Sequence, residues 1–104
     1  MSKNLQTITS EQDVKAVVVM LRAIASESRI KILLSLGRSP KTWTELLFEL
    51  KVNPKVLRDN LSYLQKSSLV KKRRPVGFEL TEAGCAVIEL SLKEIFDASQ
   101  ITER

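Results

Sequence analysis

The sequence contains no histidine and a single cysteine, Cys85, among its 104 residues. Without histidine the chain lacks the commonest general base near neutral pH and any Ser-His or Cys-His nucleophile. One thiol rules out an internal disulfide, and without imidazoles it offers no zinc, copper or iron site of the His/Cys type. We therefore expect a protein that is not an enzyme and that binds no metal and no cofactor.

Glycine and proline are scarce, at three residues each, and aromatic residues make up only 5% of the chain. With 43% hydrophobic and 28% charged residues, the composition is typical of one globular domain and not of a disordered or fibrous protein. The longest mainly apolar runs, residues 16–21 and 32–36, are far shorter than the ~20 residues that cross a bilayer. No signal-peptide pattern is visible either, so we expect a cytoplasmic protein with no membrane partner.

Positive charge is concentrated in one part of the chain. The 17 Lys and Arg residues outnumber the 12 Asp and Glu residues, which gives a formal net charge of +5. Residues 53–74 contain seven of these cations and one carboxylate, so this segment carries +6 and the rest of the chain −1. Such an excess favours an anionic partner, and nucleic acid is the first candidate.

Two helices are predicted after a flexible arm that covers residues 1–9. The first is capped at residue 9 or 10 and carries an apolar stripe at helical spacing. The second is capped by Ser26 or Ser28, and Gly37 is expected to end it. Its expected inward-facing residues are Ile30, Leu33 and Leu34.

Two further helices follow, and both have clear start signals. Thr42 and Glu45 fit the capping-box pattern ahead of a short leucine-rich helix. Asn53 is placed to cap the fourth helix, with Pro54 at the first helical position, where proline is best tolerated. This helix covers residues 54–67, and its core face consists of Leu57, Leu61 and Leu64.

After residue 68 the pattern changes from helix to hairpin and back. Residues 69–74 and 78–80 read as two strands around a tight turn. A last helix then extends to about residue 100, and Cys85 falls on its apolar stripe, where we expect it to be buried.

The resulting element order predicts a mainly α fold with a small β-hairpin, namely a winged helix-turn-helix flanked by helices at both termini. We expect residues 10–104 to form a single domain of this kind. Its first and last helices are apolar over wider arcs than one small core can cover, so we expect a homodimer. The expected interface residues are Val14, Val17, Val18, Leu21, Ile88, Leu92, Ile95 and Phe96.

Four segments carry a resemblance to a known family. Residues 21–33, LRAIASESRIKIL, resemble the L-x-x-L-A-x-x-x-R-[IL]-x-I-L opening of ArsR-type winged-helix regulators. Residues 44–46, TEL, are similar to the s-E-L of their first DNA-side helix, and residues 53–70 resemble S-x-x-x-[VL]-S-x-H-L-x-x-L-x-x-x-G-L-V. Residues 78–84, FELTEAG, are similar to the Y-x-L-T-x-x-G exit from the wing. The resemblance covers residues 21–84 and implies a DNA-binding transcriptional regulator.

The metal-sensing property of some ArsR-type proteins is not implied. Arsenic and cadmium sensors place thiolates in the helix that corresponds to residues 42–50, and this segment contains no cysteine. The last helix likewise ends without the histidine or acidic pair of other metal sensors.

Double-stranded DNA is the expected partner. A helix of about 14 residues fits the major groove, where Arg pairs with guanine, Asn with adenine and an apolar side chain with the thymine methyl. Helix N-termini suit phosphates, and a basic wing over residues 69–80 can approach the flanking groove. The expected DNA-binding residues are Thr42, Asn53, Lys55, Val56, Arg58, Asn60, Lys71, Lys72, Arg73 and Arg74.

We expect a sequence-specific regulator, and specifically a repressor. Two alternatives remain open at this point. One is a winged-helix protein-interaction module of a transcription or replication assembly, which would bind DNA weakly or not at all. The other is an architectural protein that binds every duplex alike.

Overall fold

The computed structural model describes residues 7–102, so most of the predicted arm, residues 1–9, lies outside the described residues. The helices α1 to α4 and the antiparallel strands β1 and β2 precede a C-terminal helix with three consecutive segments, and this confirms the predicted order. Their bounds are α1 (Glu11–Ile24), α2 (Glu27–Arg38), α3 (Trp43–Leu50), α4 (Pro54–Lys66), β1 (Val70–Lys72), β2 (Phe78–Leu80), α5 (Glu82–Ala86), a π-helical turn (Val87–Leu92) and α6 (Lys93–Thr102).

The starts of α1 and α3 depend on reciprocal side-chain caps. The Ser10 hydroxyl accepts a hydrogen bond from the Asp13 N–H at 3.0 Å, and the Asp13 carboxylate accepts one from the Ser10 N–H at 3.1 Å. Thr42 and Glu45 form the same arrangement at 3.1 and 2.8 Å. Each box satisfies two N–H groups that a helix terminus otherwise leaves open, so the predicted capping box at Thr42 is confirmed.

The core is built around α2, which packs against α1, α3, α4, β2 and the π-helical turn. The three leucines predicted for the inner face of α4 are all buried against this core. The buried apolar residues are Ala23, Ile24, Ile32, Leu33, Leu36, Leu46, Leu57, Leu61, Leu64, Leu69, Val70 and Val87. They come from the middle of the chain and leave the terminal helices largely outside the core.

Two expectations for α2 were wrong. The helix does not end at Gly37 but continues to Arg38, and Ser39 follows as its cap. A Cβ on Gly37 would lie 3.1 Å from Cδ1 of Ile88, the end of a side chain on the C-terminal helix, so the helix passes this glycine closely without being blocked by backbone. The helix ends where it does because Pro40 disfavours a helical conformation for the residue before it. Leu34, expected to face inward, is 43% exposed.

The expectation that Cys85 is buried was also wrong, because its side chain is exposed. The C-terminal helix contacts the core through Gly84 instead, at which an added Cβ would lie 2.2 Å from the carbonyl oxygen of Leu69. Val87 is the next buried position, at the start of the π-helical turn. A π-helical turn is wider than an α-helical one, so a stripe extrapolated at 3.6 residues per turn fails here.

The terminal helices extend away from this core. Within α1 only Ala23 and Ile24 are buried, and α6 has no buried residue. The radius of gyration is 15.0 Å, against about 13 Å for a compact domain of 100 residues. The chain therefore forms a flat body of 42 × 35 × 21 Å with helices that project from it.

Gly84→Ala should lower the free energy of unfolding by about 2 kcal/mol or more, because its methyl group would overlap a backbone oxygen that cannot move alone. Gly37→Ala is the matched control, since its methyl group meets only the end of a flexible side chain and alanine favours the helix by about 0.5–1 kcal/mol. Urea unfolding at one protein concentration measures the free energy of unfolding of both variants. Equal stability of the two variants would contradict the assigned contact at Gly84.

Candidate nucleic-acid interface

The outer face of α4 is the first component of the interface. Because its leucines point into the core, Lys55, Val56, Arg58 and Asp59 point to solvent. The Lys55 ammonium lies 2.8 Å from the Asp59 carboxylate, in a pair whose side chains are 74% and 60% exposed. The Lys55 hydrogen bond, followed by the charges of Lys55 and Arg58, holds the pKa of Asp59 below its ordinary 3.8. Such an exposed pair contributes little to stability, so a DNA phosphate can take the place of the Asp59 carboxylate beside Lys55 at a small cost in free energy.

Arg58 is the side chain of this face that is most available to a partner. It is exposed, and no other described residue within 7–102 forms a hydrogen bond or ion pair with its guanidinium. Val56 lies nearby with 39% of its surface exposed. The guanidinium of Arg58 can pair with the edge of a guanine, and the apolar side chain of Val56 can contact the methyl group of a thymine.

Asn60 lies on α4 as predicted, but its amide is engaged within the chain. Its Oδ1 accepts a hydrogen bond from Nη1 of Arg29 at 3.1 Å, and its Nδ2 donates to the Val56 carbonyl at 2.9 Å. Reading adenine uses both of these amide groups. The base contact predicted for Asn60 would therefore depend on the second lone pair of Oδ1 and the second N–H of Nδ2.

The two helix caps differ in their suitability for a phosphate. Asn53 caps α4 by accepting from the Lys55 N–H at 2.7 Å, and its helix has no acidic residue in the first turn. Thr42 is only partly exposed, and the Glu45 carboxylate already accepts from its N–H. A carboxylate at that position repels a phosphate, so the α3 terminus at Thr42 is a less favourable anion site than the α4 terminus at Asn53.

The basic side chains of the wing have two kinds of surroundings. Lys71 and Arg73 flank the Glu79 carboxylate, with nitrogen to oxygen distances of 3.9 and 4.0 Å. Lys72, Arg73 and Arg74 help to line a cavity of about 610 Å³ whose other walls include aromatic side chains and the turn. The strand is shorter than predicted and ends at Lys72, because the chain turns from Arg73, whose N–H donates to the Gly77 carbonyl at 2.8 Å.

The wing is fixed to α3 through a backbone bridge that the sequence did not reveal. Lys41, just before α3, donates its N–H to the Phe78 carbonyl at 3.1 Å and accepts the Phe78 N–H at 2.8 Å. Gly77 has φ +107°, and a Cβ there would lie 2.9 Å from the Lys41 carbonyl oxygen. Glycine at this position therefore provides both the turn and the close approach of the two backbones.

The Lys41 side chain joins α2 to α3 behind this bridge. Its ammonium, on a side chain 15% exposed, donates to the carbonyl and hydroxyl of Ser35 at 3.0 and 2.9 Å and lies 3.1 Å from Glu49. Arg38 also contacts the Glu49 carboxylate. Hydrogen bonds from Lys41 first and then Ser35 hold the pKa of Glu49 below its ordinary 4.5.

No metal-binding cluster of three or more His, Cys, Asp or Glu side chains is present in the range 7–102. In the same part of the chain, no helix is both long enough and apolar enough to cross a membrane.

Comparison with known proteins agrees with this geometry. Residues 26–72 match the family described as bacterial regulatory protein, arsR family. The solved structure of the transcriptional regulator HlyU from Vibrio vulnificus CMCP6 is 31% identical, with a TM-score of 0.71, over 89% of this chain and 98% of that one. The chain belongs to the ArsR family. No curated protein sequence matches it significantly.

Two further ArsR-like structures resemble the chain. Reduced HlyU from Vibrio cholerae N16961 is 30% identical, with a TM-score of 0.72, over 81% of this chain and 93% of its own. The transcriptional repressor BigR from Xylella fastidiosa is 25% identical, with a TM-score of 0.71, over 86% and 91%. These matches confirm the winged helix-turn-helix fold. The ArsR family consists of DNA-binding transcriptional regulators and not of enzymes.

Two residues that shape this candidate interface were missed from the sequence. Lys41 precedes a capped helix, and only this position could have drawn attention to it. Trp43 is partly buried against the core and also lines the cavity beneath the wing. Arg29 appeared only as part of the family motif, although its guanidinium reaches α4.

Glu49→Gln should lower the free energy of unfolding at pH 7 by about 1 kcal/mol, near the low end for hydrogen bonds to charged groups because the side chain is 32% exposed. Since the pKa of Glu49 is lowered in the folded state, its contribution is complete above about pH 4.5 and disappears as the pH falls through the folded pKa. The free energies of unfolding of wild type and variant should therefore become equal as the pH falls. Urea unfolding at several pH values measures the convergence.

The matched control for this prediction is Glu27→Gln, which breaks the exposed Lys31–Glu27 pair on α2. It should change stability by no more than about 0.5 kcal/mol. A Glu49→Gln difference that does not decrease as the pH falls from 7 into the acid range would contradict the role of the carboxylate charge.

Proposed function

We propose that the chain is a homodimeric repressor that binds a specific double-stranded DNA sequence. Helix residues 54–67 read the major groove and the wing, residues 69–80, contacts the flanking DNA. The observation that carries the proposal is the exposed face of α4, where Arg58 is unpaired by any described side chain and lies in the segment that carries the chain's excess charge.

The proposed roles of the interface residues follow from their present contacts. Arg58, Lys55 and Val56 read base edges, because they occupy the solvent face of α4 and at most one exposed ion pair holds them. Asn53, Lys72 and Arg74 contact phosphates, whereas Lys71 and Arg73 contribute less because Glu79 partly neutralises them. Thr42 and Asn60 contribute least directly, since their polar groups are engaged within the chain.

The repressor role is supported by the likeness to BigR, which is itself a transcriptional repressor. A regulator that binds chromosomal DNA in a bacterium acts in the cytoplasm, which is therefore the proposed location. Enzymatic activity and a bound metal or cofactor have no part in the proposal.

Dimerisation is supported by apolar surface that the fold leaves uncovered. Apolar side chains of α1 and of the C-terminal helix are 38–71% exposed, and large exposed apolar side chains gathered on two helices favour an interaction surface. Ile88 and Leu92 are partly covered by the core, so they contribute less than predicted. The remaining interface residues are Val14, Val17, Val18, Leu21, Ile95 and Phe96.

The DNA-binding mode is tested by fluorescence anisotropy on a duplex selected from random sequence and on its shuffled version. Arg58→Ala should weaken the selected duplex by about 5- to 150-fold and reduce its preference over the shuffled one. Lys72→Ala should weaken both duplexes alike and reduce the salt slope by about 1. With three to five phosphate contacts per subunit, and therefore six to ten per dimer, wild-type affinity should fall by about 10³- to 10⁵-fold between 50 and 200 mM salt.

Lys31→Ala, which removes a cation from α2 outside α4 and the wing, is the matched control and should change neither affinity nor preference. Three results would contradict the proposal. Equal and salt-dependent binding to both duplexes would indicate an architectural protein. No binding at 50 mM salt would indicate a protein-interaction module, and identical behaviour of Arg58→Ala and Lys72→Ala would remove the distinction between groove helix and wing.

The dimer is tested by light scattering on Phe96→Glu, with Phe48→Glu as the control. Both phenylalanines are exposed, at 61% and 76%, but Phe48 lies on α3, outside the proposed interface. Wild type and Phe48→Glu should have twice the chain mass of 11.7 kDa at micromolar concentration. Phe96→Glu should lower dimer affinity at least tenfold, since it buries a charge against apolar surface. A monomeric wild type would contradict the dimer.

A further inference from the structure

One guanidinium connects the end of α1 to the groove helix. Nε and Nη2 of Arg29, in the first turn of α2, donate to the carbonyl oxygens of Ala23 and Arg22 at 2.7 and 2.9 Å. Its Nη1 donates to Oδ1 of Asn60 at 3.1 Å, and its central carbon lies 4.1 Å above the Tyr63 ring. Arg29 therefore binds the last carbonyls of α1 on one side and two successive turns of α4 on the other.

The rest of α1 has little to hold it at a particular angle. Ala23 and Ile24 are its only buried side chains among the described residues, and Met20, one turn earlier, packs partly buried against the core. A cleft of about 270 Å³ separates α1 from the end of α4, with Val19 on one wall and Tyr63 and Lys66 on the other. The direction in which α1 leaves the core thus depends on contacts near its C-terminal end, to which Arg29 is bound.

We infer that Arg29 is a positioning residue that sets the angle between α1 and α4, and through it the spacing of the two DNA half-sites. The inference rests on the proposed function, because it requires that α1 joins the dimer and that α4 enters the groove. No atom of Arg29 needs to touch DNA in this role. It acts through the carbonyls of α1 and through Asn60, whose amide is held by Arg29 and by its own helix.

A small change in this angle has a large effect at the DNA. Helix α4 has 13 residues, so it is about 20 Å long at 1.5 Å per residue. Tilting it by about 15° around one end moves the other end by roughly 5 Å, which exceeds the ~3.4 Å between base pairs. A dimer whose α1–α4 angle is loose would therefore tolerate half-sites at several spacings.

A purely structural role predicts a different outcome from a positioning role. If Arg29 only stabilised the fold, its loss would lower the folded fraction and reduce binding to every duplex by the same factor. If Asn60 read a base, its loss would weaken all spacings of the same half-sites equally. Only a positioning role changes the ratio of affinities among spacings, because this ratio does not depend on the folded fraction or on a uniform loss of contacts.

The experiment measures that ratio with the full-length protein. Wild type first selects its two-part site from a random duplex library, and the spacer is then shortened or lengthened by one and two base pairs. Wild type should bind its best spacing about tenfold more tightly than a spacing one base pair away, within the usual cost of an imperfect site. Asn60→Leu, which leaves both α1 carbonyl bonds of Arg29 in place, should reduce that preference to less than about threefold. Arg29→Met should do the same.

Two controls separate charge from geometry. Asn60→Asp keeps an oxygen for Arg29 to bind, so it should retain the spacing preference although phosphate repulsion lowers its affinity at every spacing. Lys31→Met removes a cation from the same helix as Arg29 and should retain the wild-type ratio. If Arg29→Met fails to fold, the comparison of Asn60→Leu with Asn60→Asp provides the same test.

The outcomes distinguish this inference from the proposed function. If wild type selects no two-part site, the proposed dimeric DNA reader is overturned, and the inference with it. If wild type has a spacing optimum and folded Asn60→Leu keeps the same optimum and ratio, only the positioning role is overturned. A flattened ratio in Asn60→Leu that Asn60→Asp does not share supports the positioning role.

Discussion

The packing of α4 on α2 is the constraint on which the rest of the molecule depends. Leu57, Leu61 and Leu64 recur at positions that share one helix face, and all three are buried. Burying each leucine contributes about 1.5–3 kcal/mol relative to leaving it exposed, so rotating α4 by even a third of a turn would be very costly. The direction in which Lys55 and Arg58 point is therefore a consequence of apolar burial, and the core determines which face of the chain is basic.

Two cations then attach the remaining elements to this pair of helices. Lys41 connects Ser35 of α2 with Glu49 of α3, and its backbone pairs with the wing at Phe78. Arg29 connects α1 with α4. Both side chains bind carbonyl oxygens, which remain acceptors whatever residue carries them. An apolar side chain of similar size could fill either position but could not satisfy these carbonyls, and leaving a partly buried acceptor unpaired costs about 1–3 kcal/mol.

Sequence patterns predicted the features that depend on neighbouring residues well. They predicted the contacts between distant segments of the chain poorly. The caps at Ser10, Thr42 and Asn53 and the leucine stripe of α4 depend on neighbours within four residues, and the structure confirms them. Gly37 was misjudged because its surroundings come from the distant segment around Ile88, and Cys85 because the neighbouring Gly84, and not Cys85, meets the core at Leu69. At the candidate site, spacing identified the basic face but could not reveal that Asn60 is bound to a residue 31 positions away.

The exposed apolar surface of α1 and the basic face of α4 are connected through Arg29, which binds both helices. The first three turns of α1 bury almost nothing within the chain, and a helix of 14 residues is only marginally stable in water on its own. Contact with a second copy would order α1, and an ordered α1 presents regular carbonyl oxygens at its end to Arg29. That arginine also binds α4, so a contact that orders α1 would restrict α4 as well. In the proposed dimer, DNA binding and dimerisation would therefore reinforce each other, because Arg29 joins the two helices that they restrict.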